Sequence, residues 1–298
     1  MSTAALADRT APPDPTPGER SVPRRRSHRP AVLQILPALL VSALLFVAPV
    51  ILLVASSFRN GGASYSEVFG DSYYLDVTVT TLRISLVATL VTVVVGYATA
   101  YCVARVLRSS WSRRLMLLLL VTPMFISAVV RSFGWLVILG KQGFVNDAAR
   151  ALGLTEDGFT LIYNETGIIV GLVYILLPYA ALTILSVFEA AEEQVERAAA
   201  DLGANAFERF RRVTLPLTLP GVYAGGLMVF ALAFTSYVTP AVLSGGQVTV
   251  LSMLIYDQVL VAFDWATAAV LAVLMLVLSI VAIAVYLRLA RPSTGASR

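Results

Sequence analysis

Cysteine, histidine and lysine are almost absent from this chain. In 298 residues there is one of each: Cys102, His28 and Lys141. A lone cysteine excludes an intrachain disulfide. A lone histidine, in a polar N-terminal stretch, excludes multi-histidine metal sites and histidine-activated nucleophiles in the apolar body. The phosphate-cradling G-x-x-x-x-G-K-[ST] loop is missing, so the chain is not expected to hydrolyse ATP itself. Charge is scarce as well. Only 13% of residues are Asp, Glu, Lys or Arg, against 58% hydrophobic, whereas soluble domains carry about 25% charged residues. So few charges cannot cover a water-soluble fold. The net charge is +4, but the arginines stand at the ends of apolar runs, which argues against nucleic acid as a partner.

What is present is length of apolar run. A membrane-crossing helix needs roughly 20 apolar residues, and six segments qualify: 31–58, 79–104, 115–139, 167–188, 218–243 and 265–287. Helices are the expected spanning form, because irregular backbone in lipid is left unsatisfied. Residues 1–30 are rich in Pro, Ser, Thr and Arg. They are expected to be a disordered basic tail, ending in Arg24-Arg25-Arg26-Ser27-His28-Arg29. The run that follows exceeds the about 7–15 residues of a signal-peptide core, so it reads as a retained first span. The expected organisation is a transmembrane domain over 31–290 and a short tail over 291–298. With the N-terminus inside, 17 arginines fall on the inner side, against 5 Lys and Arg at the outer side or outer helix ends. That asymmetry predicts both termini, and the loop between the fourth and fifth spans, in the cytoplasm.

That loop, residues 189–216, is a charged island. From Phe188 the apolar positions Ala191, Val195, Ala198 and Leu202 recur at spacings of three and four, the stripe of an amphipathic helix. Glu189, Glu192, Glu193, Glu196, Arg197 and Asp201 fill its other faces. Gly203 suits the left-handed position that ends a helix. Asn205 followed by Glu208 predicts a capping box opening a second short helix, with Phe207, Phe210 and Val213 as its apolar positions. Pro216 and Pro220 punctuate the start of the next span. The loop is therefore predicted as a helix–turn–helix with a small, apolar tip that permits close approach of a partner surface. A helix resting on lipid headgroups is the alternative, and its acidic residues would face an anionic leaflet.

The same residues resemble the E-A-A-x-x-x-G-x9-I-x-L-P signature of ABC-importer permeases. Here it reads Arg197-Ala198-Ala199-Ala200-Asp201-Leu202-Gly203, nine residues, then Val213-Thr214-Leu215-Pro216. Arg197 stands where glutamate is usual, with Glu196 one place earlier, and Val213 replaces isoleucine. The stretches Gly96-Tyr97, Ala100-Tyr101, Ala104-Arg105, Thr122-Pro123, 130–140, Gly143-Phe144-Val145-Asn146, 236–243, Met253-Leu254-Ile255 and Phe263-Asp264-Trp265 resemble the spermidine/putrescine-type subfamily, over roughly residues 33–287. The resemblance implies an all-α membrane protein of type I importer permease architecture in the bacterial cytoplasmic membrane. It also implies an ATPase-coupling role for Glu196, Arg197, Ala198, Ala199, Asp201, Leu202, Gly203, Ala204, Asn205, Phe207, Leu215 and Pro216. The implied partners are two ATPase subunits that use the ATP, a second homologous permease, an extracytoplasmic solute-binding protein and membrane lipid. No cofactor is implied for this chain. The implied solute is a polyamine, with ferric iron, phosphonate and opine-like solutes as alternatives.

Within the spans, Arg131 is the notable charge. On a straight helix from Arg114 it lies roughly 25 Å along, at 1.5 Å per residue, near the outer interface where it can snorkel. It is either an anchor there or a residue of the translocation path, together with Trp135, Tyr237, Thr239 and Pro240. Pro123, Pro178 and Pro240 can each break a helix where it lines a cavity. Glu165, Asp257 and Asp264 are the acids near the outer ends that could attract a cation. Gly225-Gly226 permits close helix packing. A stand-alone carrier or channel would need intramembrane acids or histidines for ion coupling, and an intramembrane enzyme would need paired aspartates or a supported nucleophile. Neither pattern is present.

Overall fold

The computed structural model describes residues 29–289 except 108, 156 and 192. The expected N- and C-terminal tails lie almost entirely outside that range. The chain divides into two units, residues 1–50 and 51–298. The described part of the first is the leading portion of helix α1, Arg29–Ser57. Apolar side chains such as Leu44 and Phe46 stand exposed along it, as a lipid-facing helix requires.

The second unit is built on three long helices: α3 (Ser72–Tyr101), α7 (Glu165–Ala190) and α10 (Leu215–Phe234). They pack against one another around Ile84, Ala88, Leu172, Leu176, Ala180 and Val229. Small residues allow this closeness. A Cβ on Gly96 would stand 2.9 Å from the Ala180 Cβ, and one on Gly225 would stand 3.5 Å from the Ala180 carbonyl. In lipid, where burial of apolar surface drives little, such backbone approach is what holds helices together. Gly225 thus serves packing. The helix α2 (Ala63–Gly70) and the last span α13 (Trp265–Leu289) pack around a second cluster that includes Val68, Leu254 and Leu271.

Two of the six expected spans are not single helices. Among the described residues, five helices are long and apolar enough to cross a membrane, or six crossings if a bent pair counts as one. The run 115–139 is that pair: α4 (Ser110–Val121) and a 3-10 turn, Thr122–Phe125, followed by α5 (Ala128–Leu139). The segments bend by 106°. Pro123 opens the tight turn, Ile126 and Ser127 are extended, and the helix restarts. The helix α6 (Phe144–Ala151) follows. The run 218–243 stops at Phe234 and resumes as α11 (Val238–Leu243). Pro240 cannot donate to the Ser236 carbonyl four residues back. The Ser252 hydroxyl donates to that carbonyl instead, at 2.7 Å. Ser252 lies on α12 (Leu251–Leu260), whose first amide donates to the Thr81 hydroxyl at 2.8 Å. Pro178, by contrast, sits inside an unbroken α7.

Candidate functional site

Between α7 and α10 the chain forms α8 (Glu193–Asp201) and the single turn α9 (Ala206–Arg209). Gly203 joins them at φ +88°, in the left-handed region that favours glycine. Asn205 caps α9 reciprocally: its Oδ1 accepts the Glu208 amide at 2.9 Å, and the Glu208 carboxylate accepts the Asn205 amide at 3.2 Å. The predicted helix–turn–helix is therefore present, with two corrections. α7 ends at Ala190, so α8 is a separate short helix rather than a continuation from Phe188. The second helix is one turn and passes at once into a π-helical turn, Phe210–Thr214, that leads into α10.

Only the α8 part of the predicted stripe faces outward; Phe188 at its start is fully buried and Ala191 half-buried. Leu202 is 89% exposed and Phe207 68% exposed, and Val195 and Ala198 are exposed too. Asp201, Gly203 and Asn205 share the open tip, while Ala199 and Ala204 are half-buried. Leu215 is half-buried and Pro216 exposed in the first turn of α10.

Glu196 behaves differently from its expected place among the docking residues, because it turns inward. Its carboxylate accepts both contacts from Arg105 Nε, at 3.1 and 3.2 Å. Arg105 sits on a π-helical turn, Cys102–Val106, that continues α3, and its guanidinium lies 5.6 Å from the centroid of the buried Phe188 ring. The two charged side chains are only 15% and 17% exposed. Nearby, Arg113 pairs with Glu189, but those groups are 40% and 53% exposed. Solvent screens that second pair to little worth; the first is held in a drier setting. Beneath the loop, Tyr97 and Tyr101 of α3 meet Phe188 and Phe210 at centroid distances of 5.5 to 6.1 Å. The Tyr97 hydroxyl also contacts the Thr218 hydroxyl at 3.1 Å. From sequence, Tyr97, Tyr101 and Arg105 belong to the family resemblance at the end of the second span, and Phe188 and Phe210 are apolar positions of the loop, but that they pack together was not read from it. The one available signal is Tyr97 and Tyr101 four apart on a helix face.

The family of binding-protein-dependent transport system inner membrane components matches residues 92–292, which include the whole loop and its floor. The chain belongs to this family. Permeases similar to it include the spermidine/putrescine transport system permease protein PotB of Haemophilus influenzae, 31% identical over 84% of this chain and 91% of the relative. PotB of Escherichia coli K12 is 30% identical over 74% of this chain and 80% of the relative. A bacterial alginate ABC transporter, solved in complex with its alginate pentasaccharide-bound periplasmic protein, contains a chain of the same fold. Its TM-score is 0.73 at 16% identity, over 91% of this chain and 97% of that one. The protein is thus an ABC-importer permease of inner-membrane type, as its loop motif implies.

The other candidate residues of the permease do not converge on one site. Thr239 and Pro240 are buried; the Thr239 hydroxyl is 3.5 Å from that of Ser132 on α5. They pack rather than line an opening. Tyr237 stacks on Tyr256 of α12 at 4.6 Å, beside a cavity of about 350 Å³. Arg131 and Trp135 line a different cavity of about 270 Å³ with Tyr174 of α7, whose ring meets Trp135 edge-on at 5.2 Å. The bend at Pro123 removes the straight helix on which a snorkelling Arg131 depends. Its Nε and Nη1 are buried and have no hydrogen-bond partner among the described residues.

Two of the three acids have structural employment. Glu165 pairs with Arg83. Asp264 caps α13, its Oδ1 accepting the amides of Ala266 and Thr267 at 3.1 Å. Asp257 stays exposed on α12. Among the described residues no cluster of His, Cys, Asp and Glu could hold a metal ion.

Proposed function

We propose that this permease forms half of the translocation path of an ATP-driven importer and that the α8–Gly203–α9 loop is where two ATPase subunits engage the permease pair. Both termini and the loop lie in the cytoplasm on this reading, in line with the arginine asymmetry. The second half of the path is a homologous permease, and an extracytoplasmic binding protein delivers the solute. The chain binds no cofactor and hydrolyses nothing; the partner consumes the ATP. The observation that carries the reading is the exposed apolar pair Leu202 and Phe207 on a tip stiffened by a capping box. Large apolar side chains this exposed on a rigid mount suit a protein groove, and anchors of this kind, once buried, dominate interface energies. A Cβ at Gly203 would meet no atom within 4 Å, so the surface there is open, but at φ +88° a side chain also strains the turn; Leu202→Asp blocks the partner with the turn intact. Leu202→Asp and Gly203→Trp should leave the permease inserted but detach the ATPase. Co-purification with undiminished stimulated ATP turnover in both variants overturns the assignment.

The solute class proposed is a polyamine, carried over from the PotB relatives. The Arg131 guanidinium, whose Nε and Nη1 have no hydrogen-bond partner among the described residues, favours a second reading, in which the same machine carries a solute rich in acceptors, such as a phosphonate or an opine-like solute. Competition of uptake by putrescine and spermidine, and not by phosphonates, supports the first; the opposite pattern supports the second.

A further inference from the structure

The loop must pass force to the spans, and α8 has few means of doing so. Its main backbone neighbours are α9 and the π-helical turn that follows, both parts of the loop itself. One link from α8 to the body of the permease is a side chain, Glu196, held by Arg105. Arg105 stands at the end of the second span, on the face of Phe188 at the end of the fourth. The ion pair and the Phe188 ring thus join α8 to two spans, beside the contacts of Phe210 with Tyr97 and Tyr101, at a point where both charged side chains are largely buried. We propose that Arg105 and Glu196 form a clasp that makes α8 and the end of α3 move as one body, so that motion imposed at the Leu202 tip reaches the translocation path. The clasp rests on the docking reading above and assigns Glu196 to transmission rather than to contact with the ATPase.

The chemistry suits this role. The Arg105 Nε–H is shared between the two Glu196 oxygens, a charge-assisted contact stronger than a neutral one. Water is largely excluded, so the pair keeps its strength, and removing one partner strands the other as a buried charge. The neighbouring Arg113–Glu189 pair is too exposed to do the same. It also joins α4 to α7 without touching α8.

The test uses the complete complex of permeases, ATPases and binding protein in lipid nanodiscs. Cys102 is replaced by serine and spin labels are placed at Gln194 on α8 and Val79 on α3, both exposed positions. Between the nucleotide-free and ATP-trapped states the distance in the unmodified clasp should stay constant and narrowly distributed. In Arg105→Gln it should broaden and shift between the states, while the ATPase still co-purifies. ATP hydrolysed per solute imported should rise about tenfold, within the usual span of inter-site coupling. The charge-swapped pair Arg105→Glu with Glu196→Arg should restore the narrow distance, which a general loss of folding would not. An unchanged distance in Arg105→Gln overturns the clasp, and so does loss of the ATPase from that variant, which would make the pair a support for docking. Retention of the ATPase by Leu202→Asp instead overturns the docking reading, whatever Arg105 does.

Discussion

Replacing Asp264 by alanine removes the acceptor for two amides at the start of α13. A lost cap of this kind costs about 1 kcal/mol, so Asp264→Ala should lower the thermal unfolding midpoint in detergent by a few degrees. The nearby Thr267 side chain, and the amides of Thr267 and Ala266, hold the Asp264 carboxyl below the usual carboxylate range, against the opposing effect of burial. A depressed pKa means stability that is present above the unfolded value, about 3.9, and is lost as pH falls through the folded value. The difference between wild type and Asp264→Ala should therefore be full at neutral pH and vanish in acid. A difference that persists at low pH contradicts the cap. The same acid was legible in sequence only as a charge near the outer end of a span. Its position one residue before α13 was the better clue, because aspartate there is a helix start before it is a lure for cations. Glu196 misled in a similar way. Sequence places it on the loop but cannot show that it turns toward Arg105, because the two are separated by 91 positions.

At the scale of elements, apolar run length located every span to within a few residues at most ends, since lipid demands continuous hydrophobicity. It could not show continuity of the helix. Residues 115–139 are apolar throughout and still bend, because Pro123 favours a tight turn and the following residues go extended. Pro178 has the same chemistry in a helix packed on both sides by α3 and α10, and there the helix holds. The gap before α11 depends on a partner equally invisible in sequence, the Ser252 hydroxyl on the Ser236 carbonyl. Ser252→Ala should leave that acceptor unmet, at a cost of about 1–3 kcal/mol. Pro240→Ala restores an amide four residues on. A double-mutant cycle on thermal unfolding should then show the two changes to be non-additive, with the proline replacement recovering part of the loss. Strict additivity would mean that the serine bond does not stabilise the break.

For the whole molecule, the loop signature and its spacing to Leu215-Pro216 were enough to place the chain in its family, and the family match spans both motif and floor. The translocation path was not legible. On the proposed reading it is formed between chains, and the candidate residues separate in this chain into a buried pair on α11, a tyrosine stack and an arginine cavity. The outward stripe of Val195, Ala198, Leu202 and Phe207 has a further consequence. On the docking reading it is covered only in the finished transporter. A permease made in excess of its ATPase carries this sticky tip bare at the membrane surface, where proteases and chaperones patrol. The feature that recruits the motor therefore also marks every copy that has failed to find one, and ties the lifetime of the permease to the supply of its partner.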